Sequence, residues 1–156
     1  MVGSGSRRIG VGLLGFGTIG TGVVKVLQQN ADVISQRLGF ALELVRIADL
    51  DTETDRGVSL DGVRFDSDAA GLIADPEVDI VVELIGGYDI ARRFMLDAIS
   101  QGKHVVTANK ALLALHGKEI FGAAKEAAVG VGFEAAVGGG IPILRSLREG
   151  LAANHV

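Results

Sequence analysis

Short apolar runs alternate along the chain with longer segments whose apolar positions recur every three or four residues. Ile9–Leu14 is a continuous apolar run that predicts a strand, and Ile19 to about Gln29 follows with helical spacing. Leu42–Ala48 predicts a second strand, and the polar stretch Asp49–Asp61 a loop. A short helix is expected near Ser67–Ile73, ended by Asp75-Pro76, because a residue before proline avoids the helical region. Asp79–Leu84 is a dense β-branched strand. In Ile90–Ser100 the apolar residues Ile90, Phe94, Met95, Ala98 and Ile99 have the helical period, and Gly102 sits where helices commonly stop. His104–Thr107 predicts another strand, Lys110–Ala128 a helix and Val129–Phe133 a fifth strand, and a last helix is expected after Pro142. Strands of this length alternating with helices predict an α/β fold with a parallel sheet.

Composition narrows this without changing it. A chain of 156 residues has room for one domain. Only 4% of residues are aromatic, so the core must come from Val, Leu, Ile and Ala, which suits helices packed on a buried parallel sheet. The 23 glycines fall between apolar runs and form no low-complexity tract. A formal charge of −4 gives no reason to expect nucleic acid or an anionic membrane as partner. The absence of Cys excludes disulfides and thiolate metal sites and fits a reducing cytoplasm. Arg7-Arg8 followed by an uncharged stretch, Ile9 to Val24, imitates a signal peptide. That stretch carries glycines at 10, 12, 15, 17, 20 and 22, no Ala-x-Ala cleavage site follows, and it is too short to span a bilayer.

The sharpest motif is Gly15-Phe16-Gly17-Thr18-Ile19-Gly20, between the first strand and the first helix. Gly15 permits a tight turn, Gly17 lets the backbone approach a pyrophosphate, and Gly20 allows close helix–sheet packing. The helix N-terminus then offers N–H groups and a positive dipole end to the phosphates. The same spacing occurs at Gly10-Gly12-Gly15, where Gly10 and Gly12 lie within the strand, and nearly recurs at Gly130 to Ala135. Only the Gly15 copy has the strand–turn–helix position, where the alternative is a glycine-rich packing turn. The motif makes the fold a Rossmann-type, doubly wound parallel sheet in a single domain, with residues 1–8 as a lead-in and 9–156 as the NAD(P)-binding domain. Asp49 ends the second strand, where an acid binds ribose hydroxyls and repels a 2′-phosphate, which favours NAD over NADP. Arg56, in the following loop, is a competing site for that phosphate. For Asp51 and Arg56 the alternative is a solvated loop charge, expected to hold for one of them.

Further residues are distinctive. Ile85-Gly86-Gly87 follows the third buried strand at the carboxyl edge of the sheet, where glycines would let the nicotinamide end of a cofactor pass. Glu83, inside an apolar strand, must find partners and is read as holding a loop by its N–H groups. Asn109 is a credible N-cap. Lys110 occupies the first helical turn, where the dipole disfavours a cation, so it is read as reaching into the cleft. Glu134 sits among apolar residues and has two readings, a hard-cation ligand or an acceptor for the N–H groups of the glycine turn. The three histidines (104, 116 and 155) are scattered and receive no role.

Three segments, in order, resemble the homoserine dehydrogenases: GFGTIGTG (15–22), VVELIGG (81–87) with GKHVVTANKALLA (102–114), and FEAAVGGGIPIL (133–144). The resemblance runs from Ile9 to the end of the chain. It implies NAD(P)-dependent interconversion of L-homoserine and L-aspartate 4-semialdehyde, on the route to threonine, isoleucine and methionine. It places Lys110 at the active site, toward substrate oxygen or the nicotinamide, and implies a monovalent cation (sodium) near Glu134 and the backbone of Val137, Gly139 and Ile141. Homoserine dehydrogenases continue into a substrate and dimerisation domain, so an amino-acid substrate and a homo-oligomer belong to the longer enzyme. This chain is expected to bind cofactor but to turn over poorly alone. Two other functions fit the early motifs: a dehydrogenase acting on another aspartate-derived substrate, and a dinucleotide-binding sensor without chemistry.

Overall fold

The computed structural model of the chain describes residues 8–153; the lead-in Met1–Ser6, Arg7 and His155 lie outside them. Strand β1 (Arg8–Leu14) leads through the glycine loop into α1 (Thr18–Gln29). Helix α2 (Ala31–Leu38) follows directly and stops at Gly39, which is left-handed at φ 78°. Next come β2 (Ala41–Ala48), β3 (Arg64–Asp66) and α3 (Ala69–Ala74). The alternation continues with β4 (Ile80–Glu83), α4 (Asp89–Ser100), β5 (His104–Thr107), α5 (Lys110–Glu126) and β6 (Val131–Gly132). Helices α6 (Glu134–Gly138) and α7 (Ile143–Arg145) and a π-helical turn (Ser146–Gly150) follow.

All strand pairs are parallel, in the order β3-β2-β1-β4-β5-β6. The order reverses between β1 and β4, which is the doubly wound Rossmann arrangement expected from the pattern. Successive strand residues serve opposite faces. Leu14, Ala48, Val81 and Val105 pack with Leu72, Met95, Leu112 and Ile120 of α3, α4 and α5. Leu13 and Ile47 pack with Val24 of α1, Phe16, and Leu60, Val63 and Phe65 of the segment after β2. Burial on both faces explains why these strands read as unbroken apolar runs. Gly10 and Gly12 are packing glycines, because a Cβ would lie 1.8 Å from the Glu77 carbonyl oxygen and 2.7 Å from Leu72 Cδ2.

The observed elements depart from expectation at short or exposed segments. The stretch between β2 and α3 contains a sixth strand, β3. It is anchored by the guanidinium of Arg46, a buried residue of β2, which pairs with Asp66 at 2.9 Å, Asp68 at 3.4 Å and Asp75 at 3.5 Å. Asp68 also caps α3, accepting from the Gly71 N–H at 2.8 Å. The fifth expected strand, Val129–Phe133, shrinks to Val131–Gly132. Ala128 is left-handed at φ 55° and the Val129 N–H bonds back to Ala124, so the strand's first residues finish α5 instead. Within the signal-peptide mimic, Ile9–Val24 forms most of the central strand, its glycine loop and the first half of α1, and among the described residues no helix is long and apolar enough to cross a membrane.

Candidate functional site

The glycine loop is fixed from three sides. The Gly15 N–H bonds to the Ala48 carbonyl at 2.9 Å, joining the carboxyl ends of β1 and β2. Gly15 has φ 95°, and a Cβ there would lie 2.8 Å from the Leu84 carbonyl group, so the turn also presses on the end of β4. A Cβ on Gly20 would lie 2.3 Å from the Gly15 oxygen, so α1 can approach β1 only with glycine there. Gly17, the N-cap of α1, has nothing within 4 Å of its Cβ position and no side-chain cap. Thr18 and Ile19, in the first turn of α1, are exposed. Two glycines therefore serve packing, and the middle one faces open space.

Phe16 between them is buried, its ring edge-on to Phe65 at 5.3 Å. Its N–H donates to Asp49 Oδ2 at 2.5 Å, and the other Asp49 oxygen accepts from the Asp51 N–H at 2.8 Å. Arg56 is no solvated loop charge, for its side chain is only 9% exposed. It donates through Nε to the Phe16 carbonyl at 2.6 Å, through Nη2 to Asp51 O at 2.7 Å and through Nη1 to Thr54 O. It also lies over the Phe16 ring at 4.9 Å and pairs with the Asp51 carboxylate at 3.3 Å. Asp51 is the exposed partner. The Thr54 hydroxyl, with the Thr54 and Glu53 N–H groups and Arg56, holds its carboxyl below the usual aspartate value. The peptide units on both sides of Phe16 are thus clamped, one by Asp49 and one by Arg56. A cleft of about 500 Å³ opens beside them, lined by Gly15, Gly17, Asp49, Leu50, Ile85 and Arg93 among others.

Across the switch point, Gly86 and Gly87 are both left-handed, at φ 82° and 68°. Glu83, with no exposed surface, accepts from the Ile85 N–H at 2.9 Å and the Thr107 hydroxyl at 2.7 Å. It holds a loop by an N–H group, as its apolar surroundings require. Asn109 caps α5 by accepting from the Leu112 N–H at 3.0 Å. Lys110 stands exposed in the first turn of α5, with no ion pair among the described residues, and is not part of the cleft lining.

Glu134, Val137, Gly139 and Ile141 lie apart, beyond β6 at the opposite end of the sheet from Asp49. Glu134 Oε1 accepts from the Leu144 N–H at 2.8 Å and the Arg145 N–H at 3.4 Å, donors at the start of α7 and not in the glycine turn. Val137 and Ile141 are exposed, Gly139 is left-handed, and the Ile141 carbonyl already accepts from the Ile143 N–H. Among the described residues no three His, Cys, Asp or Glu gather as a metal centre. The fold therefore brings together Gly15, Gly17, Asp49 and Ile85, with Gly86, Gly87 and Lys110 on the same carboxyl edge. Sequence reasoning missed the Arg56 clamp and the role of Thr107.

Residues 15–134 match the family described as homoserine dehydrogenase, NAD binding domain. The homoserine dehydrogenase of Pseudomonas aeruginosa is 47% identical over 152 residues, covering 96% of this chain and 34% of the relative. That of Neisseria gonorrhoeae is 50% identical over 150 residues, covering 96% of this chain and 34% of the relative. The crystal structure of a homoserine dehydrogenase from Thiobacillus denitrificans is similar at a TM-score of 0.85 with 49% identity, covering 95% of this chain and 34% of that one. The chain spans about a third of the length of the relatives it matches. It belongs to the homoserine dehydrogenase family, as the NAD binding domain.

Proposed function

We infer that the chain binds a nicotinamide dinucleotide along the carboxyl edge of the sheet and serves as the cofactor-binding part of an enzyme that interconverts L-homoserine and L-aspartate 4-semialdehyde. The observation that carries this is the open space at Gly17, at the N-terminus of α1, beside a cleft that Asp49 also lines. Free N–H groups of Thr18 and Ile19 meet the pyrophosphate there, aided by the helix dipole. Gly15, Phe16 and Gly20 shape the loop, Asp49 takes the adenosine ribose, and Ile85, Gly86 and Gly87 border the nicotinamide end. Hydride exchange is the chemistry the bound nicotinamide supplies. Lys110 offers a cation for the charge that develops on the substrate oxygen. The amino-acid substrate, a homo-oligomeric assembly and a cytoplasmic setting belong to the same proposal.

NAD is favoured over NADP. Asp49 lines the cleft at the end of β2, and the donors of Arg56 are committed to three carbonyls and Asp51. NADP has one observation on its side, since Arg93 lines the cleft and, among the described residues, stacks on Phe94 at 5.0 Å without an ion pair. A sodium ion at Glu134, with main-chain oxygens of Val137, Gly139 and Ile141, completes the reading. Among the described residues nothing donates to Glu134 Oε2, so one hard oxygen remains for a cation. Calorimetric titration with NAD and NADP in parallel, sodium present, tests the proposal. Saturable NAD binding and weaker NADP binding are expected; binding of neither would overturn it.

A further inference from the structure

We propose that Glu83 is a positioning residue that locks the Ile85–Gly87 loop to the N-terminus of α5, so that the nicotinamide end of a bound dinucleotide and Lys110 keep one fixed relation. This rests on the dinucleotide reading of the carboxyl edge. The carboxylate has no exposed surface, and no cation pairs with it among the described residues. A leucine would fill such a position at less cost, because a buried charge must recover its hydration through hydrogen bonds. What Glu83 does with its two oxygens is specific. One accepts from the Ile85 N–H at 2.9 Å, holding the second residue after β4, where the Ile85–Gly87 loop begins. The other accepts from the Thr107 hydroxyl at 2.7 Å, and that hydroxyl accepts in turn from the Asn109 N–H at 2.9 Å.

The direction of every bond is fixed. A carboxylate can only accept, so the Thr107 hydroxyl must donate to it, which leaves the hydroxyl's lone pairs to the Asn109 N–H. Bonds aligned in one direction polarise and strengthen one another in a low-dielectric interior. The circuit then closes on its outer side. Asn109 caps α5 through its oxygen and donates through its amide nitrogen to the Gly87 carbonyl at 2.5 Å. Ile85, Glu83, Thr107, Asn109 and Gly87 thus form one loop of contacts around two left-handed glycines. Glycines of that kind have the largest backbone freedom to lose, so the loop they form needs such an anchor. Lys110 follows Asn109 directly, and its Cα is set by the same cap.

The test separates the two ends of the cofactor by titrating this chain calorimetrically with NAD and with ADP-ribose, which lacks the nicotinamide. Wild type should bind NAD more tightly than ADP-ribose. Thr107→Val, which keeps shape but removes the bridging hydroxyl, should cut that ratio about tenfold while the ADP-ribose affinity stays within about twofold. Thr107→Ser should restore the ratio. Should the valine variant fail to fold, Asn109→Ser gives the same reading from a partly exposed site. Serine keeps a capping oxygen and neutrality but loses the donor to Gly87. Parallel loss of both ligands, or an unchanged ratio, would overturn the proposal, because a role in stability alone moves both ends together. A wild-type chain that binds ADP-ribose with no advantage for NAD would also overturn it. Binding of neither ligand would instead remove the dinucleotide site itself, and this proposal with it.

Discussion

The two ends of the sheet's carboxyl edge are built differently. Around the glycine loop the polar contacts join residues far apart in sequence: Phe16 to Asp49, Arg56 to Phe16, Gly15 to Ala48 and Leu84 to Leu14. In the segment from α6 to the π-helical turn they are local. Ser146 donates to Pro142, Arg145 pairs with Glu149 four residues on, and the Ile141 N–H bonds to Gly138. The longest reach is that of Glu134 to the start of α7. Exposure follows the same division, since Phe16 is 1% exposed and Ile141 67%. A site whose parts come from β1, β2 and β4 has its geometry dictated by the sheet. A site made from one short segment has only its own turns to define it and opens at low free energy.

The largest test of this difference sets Gly20 against Gly140. Gly20→Ala pushes a methyl group into the Gly15 carbonyl, so it should cost about 1–3 kcal/mol, the range for overpacking, and abolish measurable NAD binding. Gly140 has nothing within 4 Å of its Cβ position and no left-handed φ. Its alanine variant should stay within about 0.5 kcal/mol of wild type. Urea unfolding midpoints of the two variants check both; equal costs would erase the distinction between the regions.

The same difference explains what could be read from the sequence. The strands at the sheet centre are legible because Leu13 and Leu14 must both be buried, on opposite faces, and the glycine loop because its position after a strand gives the spacing meaning. Asn109 is legible because an N-cap is decided within four residues. Strand β3 is not: three residues with one inward aromatic carry no period, and its place depends on Arg46 reaching Asp66 across a parallel pair. Helix α2 has no buried residue, so its pattern is weak, although Gly39 marks its end. Arg56 is the sharpest case. Among the charges of a polar loop it looks solvated, and only the folded chain lays it under the Phe16 carbonyl.

Arg56→Ala should have the next largest effect. It strips donors from three carbonyls and a cation from Asp51. Water replaces the donor at the exposed Asp51 and Thr54 carbonyls, and the one part-buried bond, to the Phe16 carbonyl, is worth about 1.5–3 kcal/mol, so a loss of about 2 kcal/mol is expected. NAD affinity should fall with it, because the loop loses its lower clamp. Arg145→Ala, at an exposed pair in the other region, should leave the unfolding midpoint unchanged. A silent Arg56→Ala would mean that the glycine loop holds itself without the clamp.

Acid should also act unevenly. Burial pushes the Asp66 carboxyl up, but the Asp68 N–H, Arg46 and Arg64 outweigh it and bring the carboxyl below its ordinary value of 3.8. A group depressed on folding stabilises the native state above its unfolded value and loses that contribution as pH falls through the folded one. Wild type should therefore lose stability below about pH 4, the ordinary aspartate range. Asp66→Asn should be destabilised at neutral pH, by less than Arg56→Ala because Asp68 and Asp75 still face Arg46. The gap between variant and wild type should close as the acid limb is descended. A gap constant from pH 7 to pH 2 would show that the charge of Asp66 contributes nothing.

The smallest effect belongs to Glu134→Gln. The amide oxygen still accepts from the Leu144 N–H, so the stability change should stay under about 0.5 kcal/mol, and global unfolding is too coarse to resolve it. Hydrogen exchange at the Leu144 and Arg145 amides resolves it, because those two N–H groups point at the side chain. If the free carboxylate oxygen takes sodium, a concentration equal to the dissociation constant adds about 0.4 kcal/mol, a twofold slowing of exchange at the two amides. Replacing sodium by choline should abolish that slowing in wild type and change nothing in the glutamine variant. Exchange insensitive to sodium in both proteins would leave Glu134 as the acceptor that starts α7. The segment would then be held by that one carboxylate, as the glycine loop is held by the whole sheet.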